Sequence, residues 1–410
     1  MPQISKKAEA MPESPIRKLM PYATAAKAAG KRVLHLNIGQ PDIKTPEAVL
    51  DTIKNMDLEV IEYSNSEGFA PYREKLSAYY RSHGIPVETD HIMITTGGSE
   101  ALTFAMMTCF NPGDEVIIPE PYYANYSGFA TMAGVKVVPI TAKIEDGFAL
   151  PPVAEFEKLI NERTRGIVLC NPGNPTGYLY TRDEVKAIGS LAQKHDLYIM
   201  ADEVYREFCY DEASPFSTYN LEDVDDNVVL IDSVSKRYSM CGARIGALIT
   251  RNVQVRAAAM KFAQARLSPP TLGQIAAEAA LDTPQSYFDG VIEEYVARRN
   301  FAVKVLNDIP GVRCPMPRGA FYCIAELPID DSDKFCQWLL ESFSLDNTTV
   351  MLAPATGFYI TPGLGKQEVR LAYVLEQKDL ELAMRIIAAA LEAYPGKVAL
   401  TETHSASTSL

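Results

Sequence analysis

The sequence contains few of the residues that build metal sites or disulfide frameworks. It has five histidines and seven cysteines among 410 residues, without an H-E-x-x-H or C-x-x-C motif. Protein zinc sites are usually made from such closely spaced ligands, so we expect no dedicated metal site. The odd number of scattered cysteines favours a reducing cytoplasm over a disulfide-linked, exported protein.

Long hydrophobic runs are also missing. No stretch of about 18 uninterrupted apolar residues occurs, and residues 1–23 lack the apolar core of a signal peptide. The formal net charge is −13, which disfavours sequence-independent binding to nucleic acid or to an anionic membrane. We therefore expect a cytoplasmic protein that binds neither nucleic acid nor membranes and acts on small molecules.

The chain nevertheless has enough apolar residues for large cores. Hydrophobic residues make up 47% and charged residues 22%, which is typical of globular proteins, and the length suits two or three domains. Between residues 90 and 250, short apolar runs alternate with helical stretches. Seven runs indicate strands: HIMITT, DEVIIP, KVVPI, GIVLC, LYIMA, NVVLID and GALIT. Because these runs lack polar alternation, they predict an α/β domain with a doubly wound, mostly parallel seven-stranded sheet.

The C-terminal part has a different pattern, with one long amphipathic stretch before Pro310 followed by mixed strand and helix signals. This predicts a smaller α+β domain. We predict an N-terminal arm and part of the small domain in residues 1–45, and the large domain in residues 46–280. The rest of the small domain is predicted in residues 281–400, and a disordered tail in residues 401–410.

The segment SVSKRYSMCGARIG, residues 233–246, follows a predicted buried strand. The amine of Lys236, placed near a second cation, could form an imine with an aldehyde, although a lone lysine is usually a solvated surface charge. Ser233, Ser235 and Arg244 could bind a phosphate group. A serine at the end of a strand is otherwise a cap or turn residue.

Two further turns lie at predicted strand ends. Gly98 and Ser99 in TTGGSEALTFAMM lead from a strand into a helix, whose free N–H groups suit a phosphate; a simple tight turn is the alternative. In NPGNPTG, the amide of Asn174 falls at the same edge of the sheet and could contact a ligand there. The alternative is that the segment is only a rigid turn.

Charged residues after or within apolar runs are the remaining candidates. Asp202, with Tyr205 soon after, could keep a pyridine nitrogen protonated, or it could cap a helix. Arg370 lies inside the apolar run VRLAYV, where a guanidinium needs an anionic partner. That partner could be a substrate carboxylate or a buried structural carboxylate.

Together, GGSEA, PYY, NPGNPTG, ADEVY, SVSKRYSMCGARIG and VRLAY resemble the successive motifs of the class I aminotransferases. These are pyridoxal-phosphate enzymes of fold type I, and within them the chain most resembles the bacterial aspartate aminotransferases. The resemblance extends from NIGQPD to the last predicted helix. It implies pyridoxal 5'-phosphate as cofactor, bound in the large domain.

The resemblance also implies roles for individual residues. Lys236 is the catalytic residue, which carries the cofactor and shuttles the α-proton, and Asp202 pairs with the ring nitrogen. The cofactor-binding residues implied are Gly98, Ser99, Tyr123, Asn174, Asp202, Tyr205, Ser233, Ser235, Lys236 and Arg244, with Tyr63 reaching the phosphate of the neighbouring subunit. The substrate-binding residues implied are Gly39, Asn174 and Arg370.

The resemblance implies an enzyme that transfers the amino group of an L-amino acid, aspartate or glutamate, to a 2-oxo acid. The implied mechanism is ping-pong, and the implied assembly is a homodimer with shared active sites. An aromatic or broad specificity, or a β-lyase or β-decarboxylase on the same scaffold, stays open. Two departures stand out: Ser99 replaces a lysine found in one dicarboxylate-specific branch, and Ala243 replaces a common tryptophan. Arg266 is a conjectural reader of the distal carboxylate, with an ion pair as the alternative.

Overall fold

A computed structural model describes residues 2–398, and the predicted tail at residues 401–410 lies outside the described part. The strands are β1 (Arg32–His35), β2 (Ile92–Thr95), β3 (Glu115–Glu120), β4 (Lys136–Thr141), β5 (Thr164–Cys170), β6 (Tyr198–Asp202), β7 (Val228–Ser233), β8 (Gly246–Ile249), β9 (Tyr322–Glu326), β10 (Thr348–Met351), β11 (Ala353–Pro354) and β12 (Glu368–Ala372). The helices are α1 (Lys6–Ala10), α2 (Met20–Ala28), α3 (Glu47–Lys54), α4 (Ala70–Ser82), α5 (Gly97–Cys109), α6 (Asn125–Ala133), α7 (Val153–Leu159), α8 (Arg182–His195), α9 (Val234–Arg237), α10 (Val253–Arg266), α11 (Thr271–Ala280), α12 (Gln285–Asp308), α13 (Ser332–Glu341) and α14 (Gln377–Ala393).

The large sheet contains all seven strands predicted between residues 90 and 250, in the order β2-β8-β7-β6-β5-β3-β4. Only β8 is antiparallel to its neighbours, β2 and β7. Along β3, Val116 and Ile118 pack into one hydrophobic core while Ile117 packs into another on the opposite face. Both faces are therefore covered, which explains why the strands lack polar alternation and confirms the predicted fold class.

The strands outside residues 92–249 form two smaller sheets. β1 pairs in parallel with β10, so the N-terminal arm joins a strand from the C-terminal part of the chain. β12 lies between β11 and β9 and is antiparallel to both. The long helix α12 packs against α14, which also contacts β10. The predicted domain boundaries after residues 45 and 280 stay a prediction.

The helices α10 and α11 are among those that were not predicted from the sequence. Their buried positions are held largely by alanine and glycine, such as Ala259 and Ala263 in α10 and Ala277 in α11. Small residues give only a weak hydrophobic period, so neither segment has a clear helical pattern. No helix in the described part of the chain is long and apolar enough to cross a membrane.

Candidate active site

A cavity of about 550 Å³ lies beyond the carboxyl ends of the central strands of the large sheet. In a doubly wound fold this edge is where ligands bind. Most of the site residues predicted from the sequence line the cavity: Gly39, Gly98, Ser99, Tyr123, Asn174, Asp202, Tyr205, Ser233, Ser235, Lys236, Arg244 and Arg370.

Lys236 lies on the short helix α9, directly after β7. Its ε-amino nitrogen donates a hydrogen bond to the carbonyl oxygen of Gly39 at 2.8 Å and lies 3.8 Å from the sulfur of Cys241. Burial, together with the nearby guanidinium groups, lowers the pKa of Lys236 below its ordinary value. A larger share of the amine is therefore neutral near pH 7, as condensation with an aldehyde requires.

Hydrogen-bond donors converge at the start of α5. The hydroxyls of Ser233 and Ser235 lie 2.8 Å apart, and Ser99 is in the first turn of the helix. Arg244 has a left-handed backbone (φ 56°), which brings its guanidinium beside Gly97. Gly97 has a φ of +73°, which favours glycine, and a Cβ atom there would lie 2.5 Å from the Arg244 Nη2 atom, so a side chain would strain the backbone and displace the guanidinium. Free helix N–H groups, hydroxyls and a guanidinium form a donor set suited to a phosphate dianion.

Asp202 ends β6 and is almost fully buried. Its carboxylate accepts hydrogen bonds from the hydroxyl of Tyr126 at 2.6 Å and from the backbone N–H of Val204 at 3.3 Å. Burial raises the pKa of Asp202 to about 6, against the opposing effect of these hydrogen bonds. Because both donors are neutral, a protonated ring nitrogen in the cavity would supply the missing counter-charge.

Asn174, Tyr205, Tyr322 and Arg370 form a continuous hydrogen-bond network along the cavity wall. Arg370 Nη1 donates to Asn174 Oδ1 at 3.0 Å, and Asn174 Nδ2 donates to the hydroxyl of Tyr205 at 3.4 Å. The hydroxyls of Tyr205 and Tyr322 lie 2.8 Å apart. The network fixes the orientation of two hydroxyls and one amide that face the cavity.

Arg370 is only 1% exposed. Its Nη2 atom donates to the carbonyl oxygen of Asn37 at 2.5 Å, and its Nε atom has no hydrogen-bond partner within residues 2–398. The guanidinium carbon lies 4.7 and 4.8 Å from the ring centres of Tyr322 and Phe358. Among the described residues no carboxylate pairs with Arg370, so the structural ion pair considered from the sequence is not found. An anionic ligand in the cavity would complete this environment.

Three sequence candidates lie away from the cavity lining. Tyr63 is 79% exposed, in a surface segment without regular secondary structure. Arg266 lies 3.5 Å from the carboxylate of Glu100 and donates to two backbone carbonyl groups, so it forms the ion pair that was the alternative to carboxylate binding. Ala243 is half-buried, and its carbonyl oxygen packs against Gly273 of α11.

Several residues in or next to the cavity were not identified from the motifs. Tyr126 holds Asp202 but looks like one more aromatic residue in PYYANY, and its ring packs edge-to-face against that of Tyr123. Tyr322 lies in the predicted strand FYCIAEL, where an aromatic residue predicts core packing. Cys241, within the segment of residues 233–246, and Arg17 also line the cavity, but neither was predicted as a site residue.

The donor set fits pyridoxal 5'-phosphate in three ways. A phosphate cradle, a buried carboxylate and a half-buried amine with a lowered pKa all face one cavity. Glycines enforce the close backbone approaches, as at Gly39, where a Cβ atom would lie 1.6 Å from the hydroxyl oxygen of Tyr322. The residues present therefore fit the cofactor implied by the sequence motifs.

Comparison with known proteins agrees with this geometry. The profile of the family described as aminotransferase class I and II matches residues 31–387. The aspartate aminotransferase of Pyrococcus horikoshii is 32% identical over 366 residues, which cover 88% of this chain and 91% of that protein. The structure of aspartate aminotransferase from Thermus thermophilus with maleate matches with a TM-score of 0.87 and 28% identity, covering 95% of this chain and 100% of the other.

The alanine aminotransferase from Pyrococcus furiosus also matches with a TM-score of 0.87 and 28% identity, over 95% of this chain and 100% of that chain. The fold, the cofactor and the reaction class predicted from the sequence motifs are thus confirmed. The chain belongs to the class I and II aminotransferase family and is a pyridoxal-phosphate-dependent aminotransferase of fold type I.

Proposed function

We propose that this enzyme transfers the amino group of aspartate or glutamate to a 2-oxo acid, using the site residues described above. The main support for substrate binding in this cavity comes from Arg370. Its guanidinium is buried and faces the cavity without a carboxylate partner among the described residues. The acidic specificity is supported by relatives named aspartate aminotransferase and by a matching structure that contains maleate, a dicarboxylate.

When bound, the cofactor supplies an aldehyde that condenses with amines and a ring that accepts electrons from the substrate α-carbon. Lys236 would hold the cofactor through its ε-amine, and the same amine, when free, would move the proton at the substrate α-carbon. The Asp202 carboxylate would stabilise a positive ring nitrogen of the cofactor, and the hydrogen bond from Tyr126 keeps that carboxylate in place. Lys236 thus acts on the substrate, whereas Asp202 sets the charge of the ring.

The same cavity binds and orients the substrate. The Arg370 guanidinium can form two parallel hydrogen bonds with the α-carboxylate, which fixes the bond that is broken at the α-carbon. Asn174 orients Arg370 on one side, and the rings of Tyr322 and Phe358 restrict it on its two faces. The hydroxyl of Tyr205 and the amide of Asn174, which both line the cavity, would hold the cofactor's ring oxygen in this assignment.

We also propose a homodimer in which Tyr63 reaches the neighbouring active site. The support is a band of exposed apolar side chains next to Tyr63: Leu50, Ile53, Leu58, Val60, Ile61, Leu267 and Leu272. A hydrogen bond from Thr271 to the carbonyl oxygen of Glu62 and the packing of α3 on α11 keep these segments together. Exposed apolar patches of this kind mark protein–protein interfaces.

We also propose that the protein is located in the cytoplasm. Its support is the state of the seven cysteines, all of which are free thiols and five of which are buried. Free cysteines in this number suit a reducing compartment.

A second candidate function is transamination of a small neutral amino acid. It is favoured by the neutral Ser99 in the phosphate turn and by the matching alanine aminotransferase structure. A β-lyase or β-decarboxylase would use the same cofactor residues, but it would release product continuously from the amino acid alone.

Initial rates for a panel of amino donors with 2-oxoglutarate test the proposal. We expect aspartate and glutamate to give the highest kcat/KM, and a stoichiometric spectral change when the holoenzyme meets an amino acid alone. A preference for alanine would favour the second candidate. Continuous release of pyruvate or alanine without a 2-oxo acid would contradict transamination as the main reaction.

A further inference from the structure

The cavity is lined by four cationic side chains: Arg17, Lys236, Arg244 and Arg370. The proposed function uses Lys236 and Arg244 for the cofactor and Arg370 for the α-carboxylate. A dicarboxylic substrate has a second carboxylate, which needs a further positive group within the same cavity. The proposed function gives no role to Arg17, the fourth of these cavity-lining cations.

Arg17 lies in an N-terminal segment, residues 14–17, that is fixed close to Arg370. The buried side chain of Asn37 donates a hydrogen bond to the carbonyl oxygen of Ile16 at 3.1 Å. The backbone carbonyl oxygen of the same asparagine accepts the hydrogen bond from Arg370 Nη2. One buried residue therefore links the α-carboxylate site to the peptide group that precedes Arg17.

A second contact holds this segment from the other side. Pro15 packs so closely on Gly357 that a Cβ atom there would lie 2.0 Å from the Cβ atom of the proline. The next residue, Phe358, places its ring on Arg370, and Ile16 packs against the hydrophobic cluster that contains Phe358. The backbone next to Arg17 is thus positioned by the same groups that position Arg370.

The side chain of Arg17 differs from its neighbours in having no partner. Lys18 forms an ion pair with Asp333, outside the cavity lining. Within residues 2–398, the guanidinium of Arg17 is exposed and has no hydrogen-bond or ion-pair partner, although its backbone N–H donates to Ser14. An unpaired guanidinium on a fixed backbone can bind a carboxylate without first breaking another interaction.

We propose that Arg17 binds the side-chain carboxylate of a dicarboxylic amino acid or 2-oxo acid and so determines the acidic specificity of this enzyme. The inference rests on the proposed transaminase function. It replaces the conjecture about Arg266, which is held by Glu100 and does not line the cavity of its own chain. Ser99 offers only a hydroxyl for this purpose.

The test uses the holoenzyme and single-turnover half-reactions, so that the second substrate does not affect the rates. For Arg17→Ala we expect kcat/KM for aspartate to fall about tenfold or more, while kcat/KM for alanine stays within about threefold. Arg17→Lys should recover part of the aspartate rate because it restores the charge but not the planar fork. The dissociation constant of maleate, measured by calorimetry, should rise about tenfold in Arg17→Ala, which gives a readout independent of turnover.

Arg266→Ala is the matched control, since it also removes one arginine and should leave the ratio of aspartate to alanine turnover unchanged. Equal losses of activity toward both amino acids in Arg17→Ala would mean that this arginine only stabilises the segment, which would overturn the proposal. Unchanged aspartate turnover and unchanged maleate affinity in this variant would overturn it as well. If Arg266→Ala alone shifts the ratio, Arg266 of a second subunit reads the carboxylate instead. A wild-type enzyme that converts neither amino acid would contradict the proposed function itself.

Discussion

The ε-amino nitrogen of Lys236 donates a hydrogen bond to the carbonyl oxygen of Gly39, 2.8 Å away and 197 residues earlier in the chain. Gly39 in turn lies so close to Tyr322 that no side chain fits between them. The lysine that we assign to catalysis is therefore positioned by a backbone group of the N-terminal arm. That arm also carries Arg17, so the lysine and the proposed specificity residue depend on the same part of the chain.

Gly39→Ala should impair the active site without unfolding the protein. The added Cβ atom would lie 1.6 Å from the hydroxyl oxygen of Tyr322, so the backbone of the arm or the tyrosine must shift. A shift of about 1 Å at a catalytic group can cost on the order of 100-fold in rate, and we expect a loss of that size in kcat/KM. Gly242→Ala is the control, because no atom of the described part of the chain lies within 4 Å of a Cβ at that position. Equal activity of the two variants would show that the close approach at Gly39 does not position Lys236.

Asp202→Asn should lower activity because it removes the negative charge that we assign to the cofactor ring. We expect kcat to fall on the order of 100- to 1,000-fold, similar to the loss of other preorganised electrostatic groups. The absorbance spectrum of the bound cofactor should also change with pH differently from that of the wild type. Wild-type kcat in Asp202→Asn would contradict the assigned role.

The same variant should be more stable than the wild type when the cofactor has been removed, and the difference should depend on pH. Burial raises the pKa of Asp202 from 3.8 to about 6. The contribution of Asp202 to stability is therefore full below pH 3.8 and is lost as the pH rises through 6. Between pH 4 and 6 the wild type should lose this contribution to its free energy of unfolding, whereas Asp202→Asn should not. The difference between the variant and the wild type should therefore change in favour of the variant, by on the order of 3 kcal/mol at most. Denaturant unfolding of both apo-proteins at pH 4.5, 6 and 8 measures this. A constant difference across that range would contradict the raised pKa.

Arg370→Gln should weaken binding of every amino donor alike. The substitution removes a buried positive charge that faces the α-carboxylate, and such a change typically costs on the order of 100-fold or more in affinity. KM should rise accordingly for both aspartate and alanine, with the preference between them unchanged. This distinguishes Arg370 from Arg17, whose removal should affect aspartate only. A selective loss of aspartate turnover in Arg370→Gln would exchange the two assignments.

Mixing two inactive or impaired subunits tests the shared active site. If Tyr63 serves the neighbouring site, a heterodimer of Tyr63→Ala and Lys236→Ala has one site in which both residues are wild type. Subunit exchange at equal concentrations makes half the dimers mixed, so activity should return to about one quarter of the wild-type level, plus any residual activity of Tyr63→Ala. No gain over the average of the separate variants, in a mixture shown to exchange subunits, would place Tyr63 outside the neighbouring site.

Much of the large sheet could be predicted from the sequence because fully buried parallel strands leave apolar runs such as GIVLC and NVVLID. Lys236 and Asp202 follow such runs, so their place at the carboxyl edge followed from the topology alone. Tyr126 and Tyr322 could not be identified in this way, because a tyrosine that supports a charged group has the same local pattern as one that packs in a core. Arg17 was also missed, since its proposed role depends on contacts made by residues 14–16 with distant parts of the chain.

The most direct test of this account is to reduce the holoenzyme with borohydride and locate the modified residue by peptide mass mapping. We predict that the phosphopyridoxyl group is found on the peptide that contains Lys236, and that Lys236→Ala is not labelled. Labelling of a different lysine in the wild type, or failure of the purified protein to bind pyridoxal 5'-phosphate at all, would contradict the assignment of the active site.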